Sequence, residues 1–262
     1  MNLRYWKRAT RVQQGVKRIV LTPVVKEEGI YLKRDDLFSV AGISGGKART
    51  CWHLAQDANG LVTAGSRHSP QVNIVAHIAE HLEIPCRVHI PTGQLLPELL
   101  DAREHGTEII QHKAGYNNVI VARAREDASE RGWVNIPFGM ECAEAVNQTL
   151  VQTNNIPREA KRIVVPIGSG MSLSGILTGM VANGIRIPLV GIQVGADPIK
   201  RLYKFAPLFW QTMVTIVKSK YKYEDHVYAK VGNVILDPIY EAKCVEHLKE
   251  GDLLWIVGKR KA

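Results

Sequence analysis

Lys47 stands in Ser44-Gly-Gly-Lys47-Ala-Arg49, directly after two glycines and at the start of a stretch that reads as a helix. A lysine at a glycine-rich strand-to-helix turn sits on a short, rigid backbone and need not point into bulk water. Partial desolvation lowers an amine's pKa and makes it a competent Schiff-base former. A second segment, Gly168-Ser-Gly-Met-Ser-Leu-Ser-Gly175, follows the apolar run Ile163-Val-Val-Pro-Ile167 and leads into another helical stretch. Glycines let successive amides converge on an anion, and a helix N-terminus adds partial positive charge. The spacing is that of neither a Walker loop nor a dinucleotide fingerprint. On its own such a segment is more often just a turn; its position after a buried-looking strand favours a phosphate cradle.

Histidine and serine offer less. His77 and His81 share a helix face at i, i+4, but no carboxylate support is evident in the sequence, and no metal site is expected. His68 beside Ser69 lacks both a third partner and the Gly-x-Ser-x-Gly flanks of a hydrolase nucleophile.

The elements that must position Lys47 and the glycine loop alternate along the chain. Strands are expected at 61–64, 86–90, 108–111, 134–137, 163–165 and 189–194. Helices are expected at 72–82, 97–104, 118–131, from Glu141, and at 172–181. Such alternation with short connections predicts parallel βαβ units with helices on both sheet faces. The stretch 205–228 is the least regular. No linker composition marks a boundary, so residues 1–262 are expected to form one unit, with a smaller subdomain at about 50–140 inserted in it.

Composition sets the outer limits. With 45% hydrophobic and 23% charged residues, the 262-residue chain has the balance of an ordinary soluble protein with a real core. No apolar run approaches the roughly 20 residues of a spanning helix. The basic start, Met1-Asn-Leu-Arg-Tyr-Trp-Lys-Arg8, lacks the apolar centre of a signal peptide. Cys51, Cys86, Cys142 and Cys244 lie far apart, which points to a reducing compartment, and the cytoplasm is the expected location. The net charge of +9 favours phosphate-bearing partners. Much of it lies in Lys200–Phe205, Lys218–Tyr223 and the tail Lys259-Arg-Lys, interleaved with Tyr203, Phe205, Trp210, Tyr221 and Tyr223. Such mixtures can stack on unpaired bases, or simply form a solvated basic face.

Taken together, these motifs resemble the tryptophan synthase β-like group of pyridoxal-phosphate enzymes. Within that group they are most similar to aminocyclopropane-carboxylate deaminase and D-cysteine desulfhydrase. Lys33-Arg-Asp-Asp36 and the Lys47 box look like the family's paired motifs, Gly65-Ser-Arg-His-Ser69-Pro-Gln71 like its substrate loop, and Asp237-Pro-Ile-Tyr240-Glu241-Ala-Lys243 like its C-terminal signature. The resemblance runs from Thr22 to about Gly258. It implies an α/β protein, three-layer αβα with parallel sheets, binding pyridoxal 5'-phosphate through a Lys47 aldimine. By the same resemblance, Gly168, Ser169, Gly170, Met171 and Ser172 form the cofactor phosphate loop and Glu241 pairs with the pyridine nitrogen. Ser69 would approach the substrate carboxylate and take part in catalysis, with Gln71 beside it, and Tyr240 would face the substrate. A carboxylate at the ring nitrogen keeps the ring protonated and strengthens it as an electron sink. The family also implies a homodimer.

The chain departs from the pattern at several positions. Pro70 replaces an asparagine and Gly46 another. The C-terminal segment Val257-Gly-Lys-Arg-Lys-Ala262 lacks the family's hydroxyl, and the region between Pro198 and Asn233 is shortened. The expected activity is a lyase or deaminase acting on a small amino acid. One alternative is a pyridoxal-phosphate enzyme acting on an amino-acid-like group attached to a nucleotide or DNA base, with the basic aromatic segment 200–223 holding nucleic acid. Another is a non-catalytic binding protein of the same fold.

Overall fold

Short runs rich in Val, Ile and Leu, punctuated by Gly and Pro, become strands in the computed structural model, which describes residues 20–67, 69–113 and 117–258. The basic start, His68 and the Lys259-Arg-Lys tail lie outside the described residues. In chain order the first strands are β1 (Val24–Glu27), β2 (Ile30–Arg34), β3 (Ser39–Val40) and β4 (Ile43–Ser44). Next come β5 (Leu61–Ala64), β6 (Cys86–Pro91), β7 (Glu108–His112) and β8 (Val134–Ile136). The remainder are β9 (Arg162–Ile167), β10 (Leu189–Gln193), β11 (Val214–Lys218), β12 (Lys230–Val231), β13 (Val234–Ile235) and β14 (Asp252–Ile256).

Among the described residues, two sheets carry the architecture. The larger has the order β1-β2-β14-β9-β10-β11, the smaller β7-β6-β5-β8. Every pairing in the smaller sheet is parallel. The larger is parallel too, apart from the β1–β2 hairpin at its edge. Parallel strands need crossover connections, and the intervening helices supply them on both faces.

Strand alternation divides the core. Ile163, Val165, Ile167, Leu253 and Trp255 face one side of the larger sheet and pack with Leu173, Ile176, Leu177 and Met180 of the Met171–Ala182 helix. Val164, Leu254 and Ile256 face the other side and pack with Leu236, Ala242 and Cys244. In the smaller sheet, Leu61 and Val88 join the large cluster built on the Pro70–His81 helix, while Val62 and Ala64 meet Ile120 and Ala124 of the Asn117–Arg131 helix. No described helix is long and apolar enough to cross a membrane.

The stretch 205–228 is more regular than its composition predicts. After a 3-10 turn at Trp210–Thr212 it forms β11, which pairs in register with β10. Trp210, expected among exposed cations, is buried in the core beside the Met171 helix.

Candidate active site

The lysine turn is fixed from two directions. Gly45 has φ +98°, a conformation that favours glycine, and a Cβ there would lie 2.8 Å from the Gly258 Cα. The Gly46 amide donates to the Val257 carbonyl at 2.9 Å, so the exit of β14 holds the start of the Gly46–Leu54 helix. One turn on, Arg49 grips Asp35 with two hydrogen bonds, at 3.2 and 3.0 Å. Asp35 also accepts from Thr22 at 2.6 Å and from the Trp255 indole at 3.1 Å. The neighbouring Lys33 is wholly buried and donates to the Thr22 carbonyl, Gln152 and Asn155. Burial lowers its pKa to about 8, against the opposing pull of Asp35. Within the Lys33-Arg-Asp-Asp36 motif, then, Asp35 ties to the lysine helix through Arg49, while Arg34 pairs with Asp36.

Across a cavity from Lys47 lies the glycine loop. The cavity is bordered by Ser44, Gly45 and Lys47 on one side and by Gly168, Ser169, Gly170 and Ser172 on the other, with Pro70, Ile74, Asp237, Tyr240 and Val257 between. A Cβ on Gly168 would come within 3.0 Å of the Tyr240 ring. Gly170, at φ +91°, is the residue before the Met171–Ala182 helix, and a Cβ there would press on Pro198 at 2.9 Å. The first helical amide bond runs from Ser174 to Gly170, which leaves the earlier amides of the turn to point outward. An anion fits such a turn. The Ser169 hydroxyl donates to the Gly139 carbonyl, so Ser169 contributes backbone, not hydroxyl, to the cradle.

Tyr240 is presented by an Asp turn. Asp237 Oδ1 accepts from the amides of Ile239 and Tyr240, at 2.9 and 3.0 Å. The Tyr240 hydroxyl lies 3.1 Å from that of Tyr223. Glu241 follows, fully buried, and its Oε1 accepts from the Val257 amide at 2.8 Å. Its Oε2 has no hydrogen-bond partner among the described residues. Desolvation first, and the nearby Asp237 carboxylate second, push the Glu241 carboxyl well above the usual carboxylate range. A buried carboxyl with an orphaned oxygen is a costly arrangement unless a cation or donor completes it. Its chain neighbour Tyr240 and its backbone partner Val257 both border the cavity.

Three further expected residues are placed differently. Ser69 caps the Pro70–His81 helix, accepting from the Gln71 amide at 3.3 Å. Gln71 is buried and turned toward the smaller sheet, where it donates to Thr63 and to the Pro137 carbonyl. Met171 is buried in the core cluster, so its share in the cradle is its amide. None of these three, nor Glu241, is among the residues that border the cavity. Pro70 does border it, at the first helical position, where its missing amide costs nothing. Ile74, one turn further on, is a site residue with no signal of its own in the sequence, whereas Asp237 opens the C-terminal signature. The basic segment is partly neutralised: Arg201 and Lys204 engage Glu141, and Lys220 engages Glu246.

Parallel sheets that bring a lysine at a glycine turn opposite a glycine-rich helix start define a class, and comparison with known proteins gives the same class. Residues 17–228 match the family described as pyridoxal-phosphate dependent enzyme, and the chain belongs to that family. Its sequence is 23% identical over 264 residues to a 1-aminocyclopropane-1-carboxylate deaminase of Pseudomonas syringae, covering 82% of this chain and 78% of the relative. It is 27% identical over 197 residues to the biosynthetic L-threonine dehydratase of Corynebacterium glutamicum, covering 70% of this chain but only 45% of that enzyme's length. Among solved structures, one described as an ACC deaminase homologue superposes with a TM-score of 0.74 at 22% identity, covering 98% of this chain and 95% of that one. Maize serine racemase superposes at 0.62 with 16% identity, covering 99% and 93%. These likenesses establish the tryptophan synthase β-like fold. Pyridoxal phosphate is the cofactor of the family, and the glycine cradle and the orphaned Glu241 oxygen fit it.

Proposed function

We propose that this protein is a pyridoxal-phosphate-dependent lyase or deaminase acting on a small amino acid, with Lys47 as the lysine that bears the cofactor. The observation that carries the reading is that Lys47, the Gly168–Ser172 turn and Tyr240 border one cavity, although 193 residues separate the first from the last (240 less 47). When bound, the cofactor supplies a carbon that takes the substrate amine and a ring that accepts the electron pair released at the substrate's α-carbon. Everything else falls to this chain.

The amides at the start of the Met171–Ala182 helix hold the phosphate. The Glu241 carboxyl, whose charged form burial disfavours, would give its proton to the ring nitrogen and remain beside it as the counter-charge. Lys47 would hold the cofactor and, once free, would move the α-proton as a general base. Accepting from the Gln71 amide leaves the Ser69 hydroxyl able to donate to a substrate carboxylate. The Tyr240 phenol, shared with Tyr223, can hold or deliver a proton on the substrate side. The apolar walls, buried Ile74 and half-buried Val257 among them, limit water and favour a compact substrate. The reading in which the substrate is carried on a nucleotide draws less support, because Arg201, Lys204 and Lys220 are already engaged by carboxylates.

The test is a visible absorption spectrum of the purified protein with added pyridoxal phosphate, recorded beside Lys47→Ala. The wild type is expected to show a cofactor band that the variant lacks. Ammonia and keto-acid release would then be followed with 1-aminocyclopropane-1-carboxylate, D-cysteine and L-threonine in turn. A wild type that takes up no cofactor overturns the proposal.

A further inference from the structure

His77 and Glu80 lie one helical turn apart on the Pro70–His81 helix. Asp101 and His105 lie one turn apart at the end of the Pro97–Glu104 helix. The two helices bring these four residues into one group. His77 Nε2 is 2.7 Å from Asp101 Oδ2, and His105 Nδ1 is 2.6 Å from Glu80 Oε2. His105 Nε2 is also 3.7 Å from Asp101 Oδ1, and the two imidazole rings stand 3.9 Å apart between centroids. His81 is not part of the group: it turns toward Trp52, with ring centroids 5.6 Å apart.

We propose that His77, Glu80 and His105, completed by Asp101, form a binding site for a divalent transition-metal ion such as Zn2+. The ligand atoms of the first three all lie within 4.8 Å of one another. Tetrahedral zinc, with bonds of about 2.0–2.2 Å to nitrogen and oxygen, sets its ligands roughly 3.3 Å apart. Small rotations of the partly exposed Glu80 and His105 side chains close that difference. Two imidazole nitrogens and two carboxylates suit zinc and its neighbours better than calcium or magnesium, which favour all-oxygen shells. The ion would replace the ring protons on which the two imidazole–carboxylate hydrogen bonds now depend. An outer partner is already in place, since the Asn73 side-chain amide donates to the same Asp101 oxygen that faces His77. Entry is open on one side, because His77 is buried while Glu80 is exposed.

The site is structural rather than catalytic. Ile74, which borders the active cavity, stands one turn before His77 on the same helix. An ion joining the two helices would therefore fix the helix that carries Pro70 and Ile74 to the cavity, without touching the cofactor.

Titration of the full chain with Co2+ and Zn2+ tests this without reference to turnover. A saturable Co2+ complex with visible d–d bands is expected, displaced by Zn2+, together with a higher Tm in the presence of Zn2+. His105→Gln and Glu80→Gln, at partly exposed positions, should fold normally and bind at least roughly tenfold more weakly. Cys142→Ser controls for thiol binding and should leave affinity unchanged. No saturable binding overturns the proposal, as does binding that persists undiminished in the His105 and Glu80 variants.

Discussion

At the scale of single residues, Lys47 and Glu241 carry the chemistry for opposite reasons. In the proposed reaction Lys47 would supply a reactive amine, and Glu241 a charge that burial disfavours until a cation answers it. Lys47→Ala is expected to abolish the visible cofactor band and lower turnover by a factor on the order of 10² or more, checked by absorption and single-turnover kinetics. Glu241→Gln keeps the shape and removes the ability to ionise. Because burial disfavours the charged form of Glu241 without a cationic partner, the apo protein should keep its Tm, while kcat falls and cofactor retention on dialysis weakens. A loss of apo stability comparable to a core cavity would contradict that assignment. Lys47, the glycine turn and Tyr240 were legible in the sequence because glycine pairs and an Asp-Pro turn announce unusual backbone. Ile74 and Val257 were not, since an apolar residue carries no mark of which cavity it borders. Tyr223 was legible only as part of a basic aromatic run, yet its hydroxyl meets Tyr240.

At the scale of elements, the lysine helix depends on a buried ion pair. Arg49 and Asp35 have side chains only 5% and 3% exposed, and removing one partner strands the other. Arg49→Met is expected to destabilise the protein by about 3–5 kcal/mol in urea denaturation, with cofactor affinity falling alongside. Local patterns gave the crossover units closely: the expected 61–64 and 97–104 elements match Leu61–Ala64 and Pro97–Glu104. The patterns were silent on β1, β2 and β14 and misjudged β11. A sheet strand is defined by its neighbours, and β14 lies between β2 and β9, which are distant from it in sequence. Val214 and Ile216 face one core cluster and Val217 another, an alternation obscured by the cations that follow.

At the scale of the whole molecule, buried titratable groups set how stability responds to pH. Lys33 has a folded pKa of about 8, below its ordinary 10.5. Below about 8 it is charged in both states and its burial weighs on the fold. Between about 8 and 10.5 the unfolded chain holds a proton the folded chain has shed, so this residue's contribution to stability rises with pH. Lys33→Met should flatten the change in urea midpoint between about pH 7 and about pH 9. Asp127 behaves in the opposite sense. Desolvation pushes its carboxyl up, but hydrogen bonds from His89, Arg131 and Arg87 together bring it down to about 2. Its contribution is complete above 3.8 and is lost as pH falls toward 2. Asp127→Asn should therefore lessen acid sensitivity in that window, read from the pH dependence of Tm.

The position of β14 also governs when the protein can assemble. Residues 252–256 fill the gap between β2 and β9, and the Val257 carbonyl then receives the Gly46 amide at the start of the lysine helix. A growing chain that has not yet reached residue 252 carries two open strand edges in the middle of its larger sheet and lacks the Val257 anchor for that helix start. Such a chain is exposed to edge-to-edge association until those residues emerge. The start of the Lys47 helix therefore depends on a strand that lies far along the chain from it.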